Sequence, residues 1–343
     1  MDAVVGMVLA AGLGTRLRPL TDLLPKPAVP VAGLPLVRYA LARLRAAGAR
    51  RAVVNVHHLP EAMERAAAEA ARALGMELAV SREPVIAGTG GALREARRWL
   101  EGAEAIAVWN GDVLFDVDLG AAVAAHRQGG ALATMLLAPM PPGASYATVD
   151  VDGGLRVRRI AGHGPGGESL RPLHFTGVHV LSPALLDQVP VAPFACDVNR
   201  HVYPPLLAAG GVHGLIVKGY WNDLGTPGRY LQANLDVLSG AAGLTAPGAE
   251  PLAGLGVPAP GVRVAAGARV QGAVLVGPAL VLDGATVAPG ARIGPGAILG
   301  AGAVVGPGAV VERAVVWPGT AVAAGERVAD AVAAGTLRVP AAG

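Results

Sequence analysis

The sequence predicts two architectures in series: an α/β region with a largely parallel sheet, then a parallel β-helix. Three observations carry this. Over residues 1–238, short apolar runs alternate with segments of helical periodicity, the pattern of strands joined by crossover helices. Over residues 262–343, aliphatic side chains recur every six positions, as in a β-helix whose sides each turn one side chain inward. Residues 239–261 between them are rich in Gly, Ala and Pro and read as a linker or cap.

In order along the chain, Val4–Leu9 is an apolar run that ends in a glycine loop. Leu36, Val37, Ala40, Leu41 and Leu44 fall at helical spacing, and Gly48 closes that helix. Arg51–Val56 reads as strand, Glu61–Leu74 as helix, Glu77–Ser81 as strand and Ala92–Leu100 as helix. Ala105–Trp109 is an apolar strand running into Asn110-Gly111-Asp112, and Asp116 and Asp118 are placed to cap a helix starting near Leu119. Beyond Ala131 the strands are closer and less regular, up to a last helix over Pro227–Leu238. In the final region Val281, Val287, Ile293, Leu299, Val305, Val311 and Trp317 are six apart. Gly284, Gly290, Gly296, Gly302 and Gly308 keep the same step, each followed by alanine. An earlier series, Val264, Val270 and Val276, is one residue out of phase, which implies one shortened turn.

Composition narrows the function classes. Of 343 residues, 52% are apolar and 15% charged, which excludes a disordered polyampholyte. No apolar run approaches the roughly 18–20 residues of a bilayer span, so no membrane partner is expected. The net charge of +3 is dispersed, which argues against nucleic acid as a partner. The single cysteine, Cys196, excludes an intramolecular disulfide and fits a reducing cytoplasm. It has no metal-site spacing and reads as a buried structural residue. Only Lys26 and Lys218 among the 28 basic residues are lysines.

The segment Leu9-Ala10-Ala11-Gly12-Leu13-Gly14-Thr15-Arg16-Leu17-Arg18-Pro19-Leu20-Thr21, followed by Pro25-Lys26-Pro27, carries the most chemistry. A glycine loop after a buried strand lets backbone N–H groups approach a phosphate chain. A dinucleotide fingerprint requires glycine where Leu17 stands and an acid near Val31, and a P-loop requires Gly-Lys-Ser/Thr; neither is present. What remains is a loop with its own arginine, Arg16, and a lysine ten residues later between two prolines. Such an arrangement suits a triphosphate, with Arg16 and Lys26 neutralising charge on the transferring and leaving phosphates.

This segment resembles the signature of the sugar-1-phosphate nucleotidyltransferases (NDP-sugar pyrophosphorylases). Three more segments agree, in the family's order: Gly88-Thr89-Gly90-Gly91 with a nucleoside-contacting loop, Asn110-Gly111-Asp112 with a metal-binding strand end, and Trp221-Asn222-Asp223-Leu224-Gly225-Thr226-Pro227 with a second metal motif. The resemblance implies a Rossmann-like nucleotidyltransferase domain with a mixed, mostly parallel sheet, followed by a left-handed parallel β-helix. It implies Arg16 and Lys26 as catalytic, and Leu9, Ala10, Ala11, Gly12, Gly14, Thr15, Gly88, Thr89 and Gly90 as nucleotide-binding. Asn110, Tyr146, Thr176, Gly177 and Lys218 would contact the sugar phosphate, and Asp112 and Asp223 would hold Mg²⁺. Lys218 reads equally as a strand-end lysine on the surface. His57 and His58, adjacent on a strand end, point to opposite faces and are not read as one metal pair.

The reaction so implied joins a nucleoside triphosphate and a sugar-1-phosphate into an NDP-sugar and pyrophosphate. The stretch Arg158-Arg159-Ile160-Ala161-Gly162-His163-Gly164 departs from the family by lacking its Glu-Lys pair, and Tyr146-Ala147-Thr148 departs from Tyr-Gly-Val. No glutamine follows Gly88-Thr89-Gly90-Gly91. Together with Asn55-Val56-His57-His58-Leu59 and the hexapeptide tail, that absence leans toward the mannose-1-phosphate guanylyltransferase-like branch. The alternatives are a uridylyl- or thymidylyltransferase and a weakly catalytic, NDP-sugar-binding regulatory subunit. All eight histidines precede Leu215, so the tail lacks the catalytic histidine of hexapeptide acyltransferases, and a part in homo-oligomer assembly is expected of it.

Overall fold

The computed structural model describes residues 3–191 and 195–341; sequence readings at the other positions lie outside the described residues. Its contacts form two compact units: the residues up to Leu13 with Val37–Trp221, and Gly14–Leu36 with Asn222 onward. Compactness thus cuts the chain elsewhere than sequence pattern does, because an N-terminal segment is anchored on the C-terminal half.

The first unit is built on a nine-stranded mixed sheet. Its strands are β1 (Val4–Leu9), β2 (Arg51–Val56), β3 (Glu77–Arg82), β4 (Ala105–Asn110), β5 (Ala133–Ala138), β6 (Thr148–Val151), β7 (Val157–Ile160), β8 (Arg171–Leu181) and β9 (Val212–Ile216). β3, β2, β1 and β4 lie side by side in that order, all parallel. The chain moves outward from β1 to β2 and β3, then returns on the other side of β1 as β4. This reversal makes a topological switch point at the carboxyl ends of β1 and β4, where open α/β sheets bind ligands. β8 runs antiparallel to β4, β5 and β6, β7 runs antiparallel to β6, and β9 is parallel to β5. The sheet is therefore mixed beyond β4, where the sequence pattern loses regularity.

Val4, Val5, Met7 and Val8 are all nearly inaccessible, as expected for a parallel strand covered on both faces. Gly6 admits helix α1 (Leu36–Ala46): a Cβ there would stand 2.8 Å from Leu44 Cδ1. Helix α2 (Pro60–Ala73) follows the predicted span within a residue. The helix predicted over Ala92–Leu100 starts earlier and is broken, into α3 (Gly88–Glu95) and a short turn at Arg97–Leu100. Asp118 caps α4 (Leu119–Gly129), accepting from Ala121 N at 2.9 Å. Asp116 does not cap; it pairs with Arg43, whose near-complete burial requires a counter-charge. No helix among the described residues is long and apolar enough to cross a membrane.

In the second unit, helix α5 (Pro227–Ser239) precedes a stretch without helices or extended strands that still buries Ala242, Ala246 and Ala249. From Val262 the chain winds into a parallel β-helix with three ladders. One runs through Val262–Val264, Ala279–Val281 and Ala297–Leu299, the second through Arg269–Val270, Thr286–Val287 and Val304–Val305, and the third through Val274–Leu275 and Arg292–Ile293. Thr286 pairs with Val304 and Arg292 with Val310, each 18 positions on, which is three six-residue sides per coil. Val281, Val287, Ile293, Leu299, Val305 and Val311 form the coil core.

Both ends of the β-helix shorten one side, so Arg269 meets Thr286 and Val304 meets Ala321 after 17 positions. The inward register shifts accordingly: Leu275 pairs with Ile293 and Val316 with Leu299. Leu275 and Val316 therefore take the inward positions that a strict six-residue step assigns to Val276 and Trp317. The coils end on Leu337–Pro340, antiparallel to Arg327–Ala334. Leu299→Ala is expected to cost about 3 kcal/mol in urea unfolding. Val304→Ala, at an outward position that is 49% exposed, is expected to cost under about 0.5 kcal/mol. Equal losses would contradict the inward register.

Candidate active site

In the first unit the candidate residues gather at the carboxyl ends of β1, β2 and β4. Leu9 sits between Asn55 and Asn110 in register, and its carbonyl accepts from Gly111 N at 2.9 Å. Ala10 and Ala11 are buried, whereas Gly12 is exposed with nothing within 4 Å of where a Cβ would lie. The backbone at Gly12 is thus open to a ligand. Asp112, half-buried, follows directly on the β4 end.

A buried polar line continues from this loop. Ala10 N donates to Asn55 Oδ1 at 2.7 Å, Asn55 Nδ2 to Glu83 Oε1 at 2.8 Å, and Ala87 N to Glu83 Oε2 at 2.9 Å. His57 Nδ1 donates to the Glu83 carbonyl at 2.8 Å. Glu83 therefore couples the loop after β1 to the residue before Gly88. It is absent from the sequence-derived site: an acid at a strand end before Pro84 was visible, but its partner 28 positions earlier was not.

Gly88-Thr89-Gly90-Gly91, read from sequence as a loop, is the first turn of α3. Its orphan N–H groups are satisfied by another segment: Gly90 N and Gly91 N donate to Cys196 O at 2.7 and 3.1 Å, and Cys196 N donates to Ala87 O at 2.7 Å. A Cβ at Gly88 would lie 2.6 Å from Cys196 O, and one at Gly90 would lie 2.7 Å from Cys196 Sγ. These glycines admit the residue 196 backbone, and Cys196 is buried against them, its thiol pushed up by burial. Thr89 Oγ1 accepts from Val198 N at 2.8 Å, which fastens the same segment.

On the other side of β4, Gly177 (φ +84°) brings β8 so near that a Cβ would lie 3.0 Å from Asn110 Nδ2. The Thr176 hydroxyl is fully buried and donates to Leu136 O at 2.8 Å, while the Thr176 carbonyl accepts from Trp221 Nε1 at 2.8 Å. Trp221 stands edge-on to Tyr146 and His174, at 5.4 and 4.7 Å between ring centroids, and Tyr146 stacks on His174 at 5.6 Å. Burial lowers the His174 pKa against the opposing bond to Phe175 O, so the ring is neutral at pH 7. Sequence reasoning found Tyr146 but not His174. Lys218 is exposed, and Arg158 is committed to Gly166 O at 3.1 Å.

In the second unit Gly14, Arg16, Lys26 and Asp223 come together. Gly14 (φ +62°) precedes the turn Thr15–Leu17, and Thr21 Oγ1 donates to Gly14 O at 3.0 Å. A Cβ on Gly14 would press on Thr21 Cγ2 at 2.9 Å and Lys26 Cβ at 3.2 Å. Lys26 opens the short turn Lys26–Ala28, is only 6% exposed, and donates from Nζ to Asp223 O at 2.8 Å. A Cβ on Gly225 would lie 3.0 Å from Arg16 Nη1 and 3.2 Å from each Asp223 carboxylate oxygen, so glycine keeps these charges close.

Asp223 is buried, and its Oδ1 accepts from Arg229 Nη1 at 2.6 Å and Gly225 N at 3.2 Å. Burial opposes its ionisation, but the Arg229 hydrogen bond and charge, the Lys26 charge and the Gly225 amide together hold the carboxyl below the usual carboxylate range. Arg229, absent from the sequence-derived site, stands at the start of α5, which Thr226 caps with Pro227 in the first turn. Asp112 belongs to the first unit and Asp223 to the second.

A β3-β2-β1-β4 parallel core with a glycine loop at its switch point is the architecture of a nucleotide-handling α/β protein. The nucleotidyl transferase family model matches residues 5–240, and the chain belongs to that family. It is similar to a mannose-1-phosphate guanylyltransferase of Mycobacterium tuberculosis (32% identical over 246 residues, 71% of this chain and 66% of the relative). It is also similar to a UTP–glucose-1-phosphate uridylyltransferase of Synechocystis sp. (31% over 246 residues, 68% and 63%). A third relative is mannose-1-phosphate guanyltransferase beta-B of Xenopus laevis (28% over 234 residues, 66% and 62%). The chain spans 62–66% of the length of these curated relatives.

The Asp223 carboxyl titrates lower in the folded chain than in the unfolded one, so its contribution to stability is present above about pH 4 and lost as pH falls through the folded value. Arg229→Met removes the partner that lowers it. The stability gap between wild type and Arg229→Met, measured by urea unfolding, is expected to stay constant over about pH 6–8 and to close below about pH 4. A gap unchanged into strong acid would contradict the ion-pair account.

Proposed function

We propose that this chain transfers a nucleotidyl group from a nucleoside triphosphate to a sugar-1-phosphate, releasing pyrophosphate, with GTP and mannose-1-phosphate as the substrate pair. The observation that carries the reading is the fixed cation: Lys26 is buried, flanked by prolines and pinned to the Asp223 carbonyl, with Arg16 beside the same turn. The pair is supported by the mannose-1-phosphate guanylyltransferases among the relatives and by the lack of a glutamine after Gly88. A second reading, UTP with glucose-1-phosphate, is favoured by the Synechocystis relative.

An anionic sugar-phosphate oxygen attacks the α-phosphorus in line. The new P–O bond forms as the bond to the β-phosphate oxygen breaks, and that electron pair leaves with pyrophosphate. No proton has to be removed, so the protein's task is positioning and charge neutralisation. Gly12 and Gly14 bring backbone N–H groups to the phosphates, and Arg16 and Lys26 offset the charge on the transferred and leaving groups. Asn110, Gly177 and the Tyr146–His174–Trp221 cluster form the sugar side, while Gly88, Thr89 and Gly90, packed against the Cys196 segment, belong to the nucleoside side by holding the start of α3 in place.

Asp112 and Asp223 would hold Mg²⁺. Both are hard oxygen donors, Asp223 is kept ionised by its neighbours, and Mg²⁺ commonly takes only one or two protein carboxylates beside phosphate and water. Bound Mg²⁺ supplies charge stabilisation to the triphosphate. Arg229 holds the Asp223 carboxylate in place.

The same reading assigns residues 1–238 to the nucleotidyltransferase domain, supported by the match over 5–240. Residues 239–261 form the linker, and 262–343 the hexapeptide domain, supported by ladder pairing that begins at Val262. It places the chain in the cytoplasm, as a homo-oligomer joined through its β-helix, whose outer ladders expose Val274 and Val304.

A grid of nucleoside triphosphates against sugar-1-phosphates, with Mg²⁺ and pyrophosphate release as readout, is expected to give its highest kcat/KM for GTP with mannose-1-phosphate. Silence in every cell with folded protein would contradict the transferase reading. Asp112→Asn is expected to lower turnover at least about 100-fold with the fold intact. Lys26→Ala is expected to lower kcat by a similar factor, and near-normal turnover in either variant would remove that residue from the site.

A further inference from the structure

Trp317 is one of the hexapeptide series, yet its side chain is not in the coil core, because the shortened side turns Val316 inward instead. The indole is almost fully buried and donates from Nε1 to Tyr230 Oη at 2.9 Å. Tyr230, on α5, is fully buried and donates in turn to the Pro30 carbonyl at 2.5 Å. Burial raises the phenol pKa well above its usual value, so the hydroxyl keeps the proton it donates. Asn234, one turn along α5, accepts from Ala32 N at 2.8 Å, and a Cβ on Gly33 would lie 2.2 Å from Leu282 Cδ1 of the β-helix. Pro30, Ala32 and Gly33 are thus gripped from α5 and the β-helix.

Only Pro27, Ala28 and Val29 separate this grip from Lys26. That connection is stiff: Pro25, Pro27 and Pro30 restrict φ, and Val29 N donates to Lys26 O at 3.2 Å. A shift at Pro30 is therefore carried to the lysine ammonium.

We propose that Trp317, on the β-helix and outside the residues matched by the family model, is a positioning residue for the segment that carries Arg16 and Lys26, acting through the Tyr230 hydroxyl on Pro30. The activity arm of its test rests on the transferase reading; the exchange arm does not. The β-helix is then a structural part of the phosphate-handling machinery, and its loss would disorder a segment more than 200 positions earlier.

The test compares Trp317→Phe, which removes the N–H and keeps most of the ring, with Tyr230→Phe and the double variant. Each single variant is expected to lower kcat about 10-fold, to change KM for the sugar-1-phosphate less than about twofold, and to speed amide hydrogen exchange over Val29–Leu36. The double variant is expected to be no worse than Tyr230→Phe, since both act through one hydroxyl. Trp317→His, which retains a ring N–H, is expected to recover part of the loss. Wild-type exchange over Val29–Leu36 in Trp317→Phe, or losses that multiply in the double variant, would overturn the proposal. So would faster exchange spread evenly over the whole β-helix, because that marks loss of general stability. If wild type transfers nothing onto any sugar-1-phosphate, the transferase reading fails and the exchange arm still decides the role of Trp317.

Discussion

The hydrogen bond from Lys26 Nζ to the Asp223 carbonyl joins residues 197 positions apart and sets the geometry of the second unit. A buried ammonium is costly unless its donors meet fixed acceptors, so both ends of the bond have to be built. At one end, prolines on either side hold the backbone of Lys26, and Gly14 leaves room for its Cβ. At the other, the turn that offers the Asp223 carbonyl carries Leu224 in the left-handed region at φ +43° (normally unfavourable for a leucine). Asn222 Oδ1 on Leu224 N at 2.9 Å and Asp223 Oδ1 on Gly225 N at 3.2 Å hold that turn. The cap at Thr226 then launches α5, whose Tyr230 and Asn234 return to grip Pro30 and Ala32. The lysine is therefore enclosed by a closed circuit of contacts, with the β-helix as its outer support.

The first unit presents backbone groups at its switch point and braces them with a buried polar line. Its switch point leaves Gly12 open, and the buried Ala10–Asn55–Glu83–Ala87 line fixes the loop after β1 relative to the start of α3. Gly177 and the Tyr146–His174–Trp221 cluster lie across β4 from that loop. Arg16 and Lys26 lie in the second unit.

Much of this was legible in the sequence, for identifiable reasons. The strands β1 to β4 and the helices α1 and α2 follow from apolar spacing, since a covered parallel strand such as β1 needs an unbroken apolar run and a helix an apolar residue every three or four. The coil core from Val281 to Val311 follows from the six-residue step. What escaped depended on long-range pairing. Glu83 and Arg229 look like ordinary charged residues until Asn55 and Asp223 are seen beside them. Asp116 satisfies the local rule for a cap, but a buried Arg43 claims it. Gly88 to Gly91 read as a loop from their resemblance to a nucleoside-contacting loop, whereas they open α3 and their smallness admits Cys196. The phase break after Val276 already implied one shortened turn; the five-residue side lies instead between Val270 and Leu275, and a second lies between Val311 and Val316, which displaces Val276 and Trp317 from the core.

The Arg16–Lys26 segment belongs structurally to α5 and the β-helix. Native-state hydrogen exchange on the wild-type chain, resolved by segment, tests it most directly, because amides that open together share an opening free energy. Amides of Gly14–Leu36 are predicted to exchange with the same denaturant dependence as those of α5 and the β-helix coils, and separately from β1 to β4. Exchange of Gly14–Leu36 in step with the β1–β4 sheet, while the β-helix stays protected, would show that the segment is not held by α5 and the β-helix.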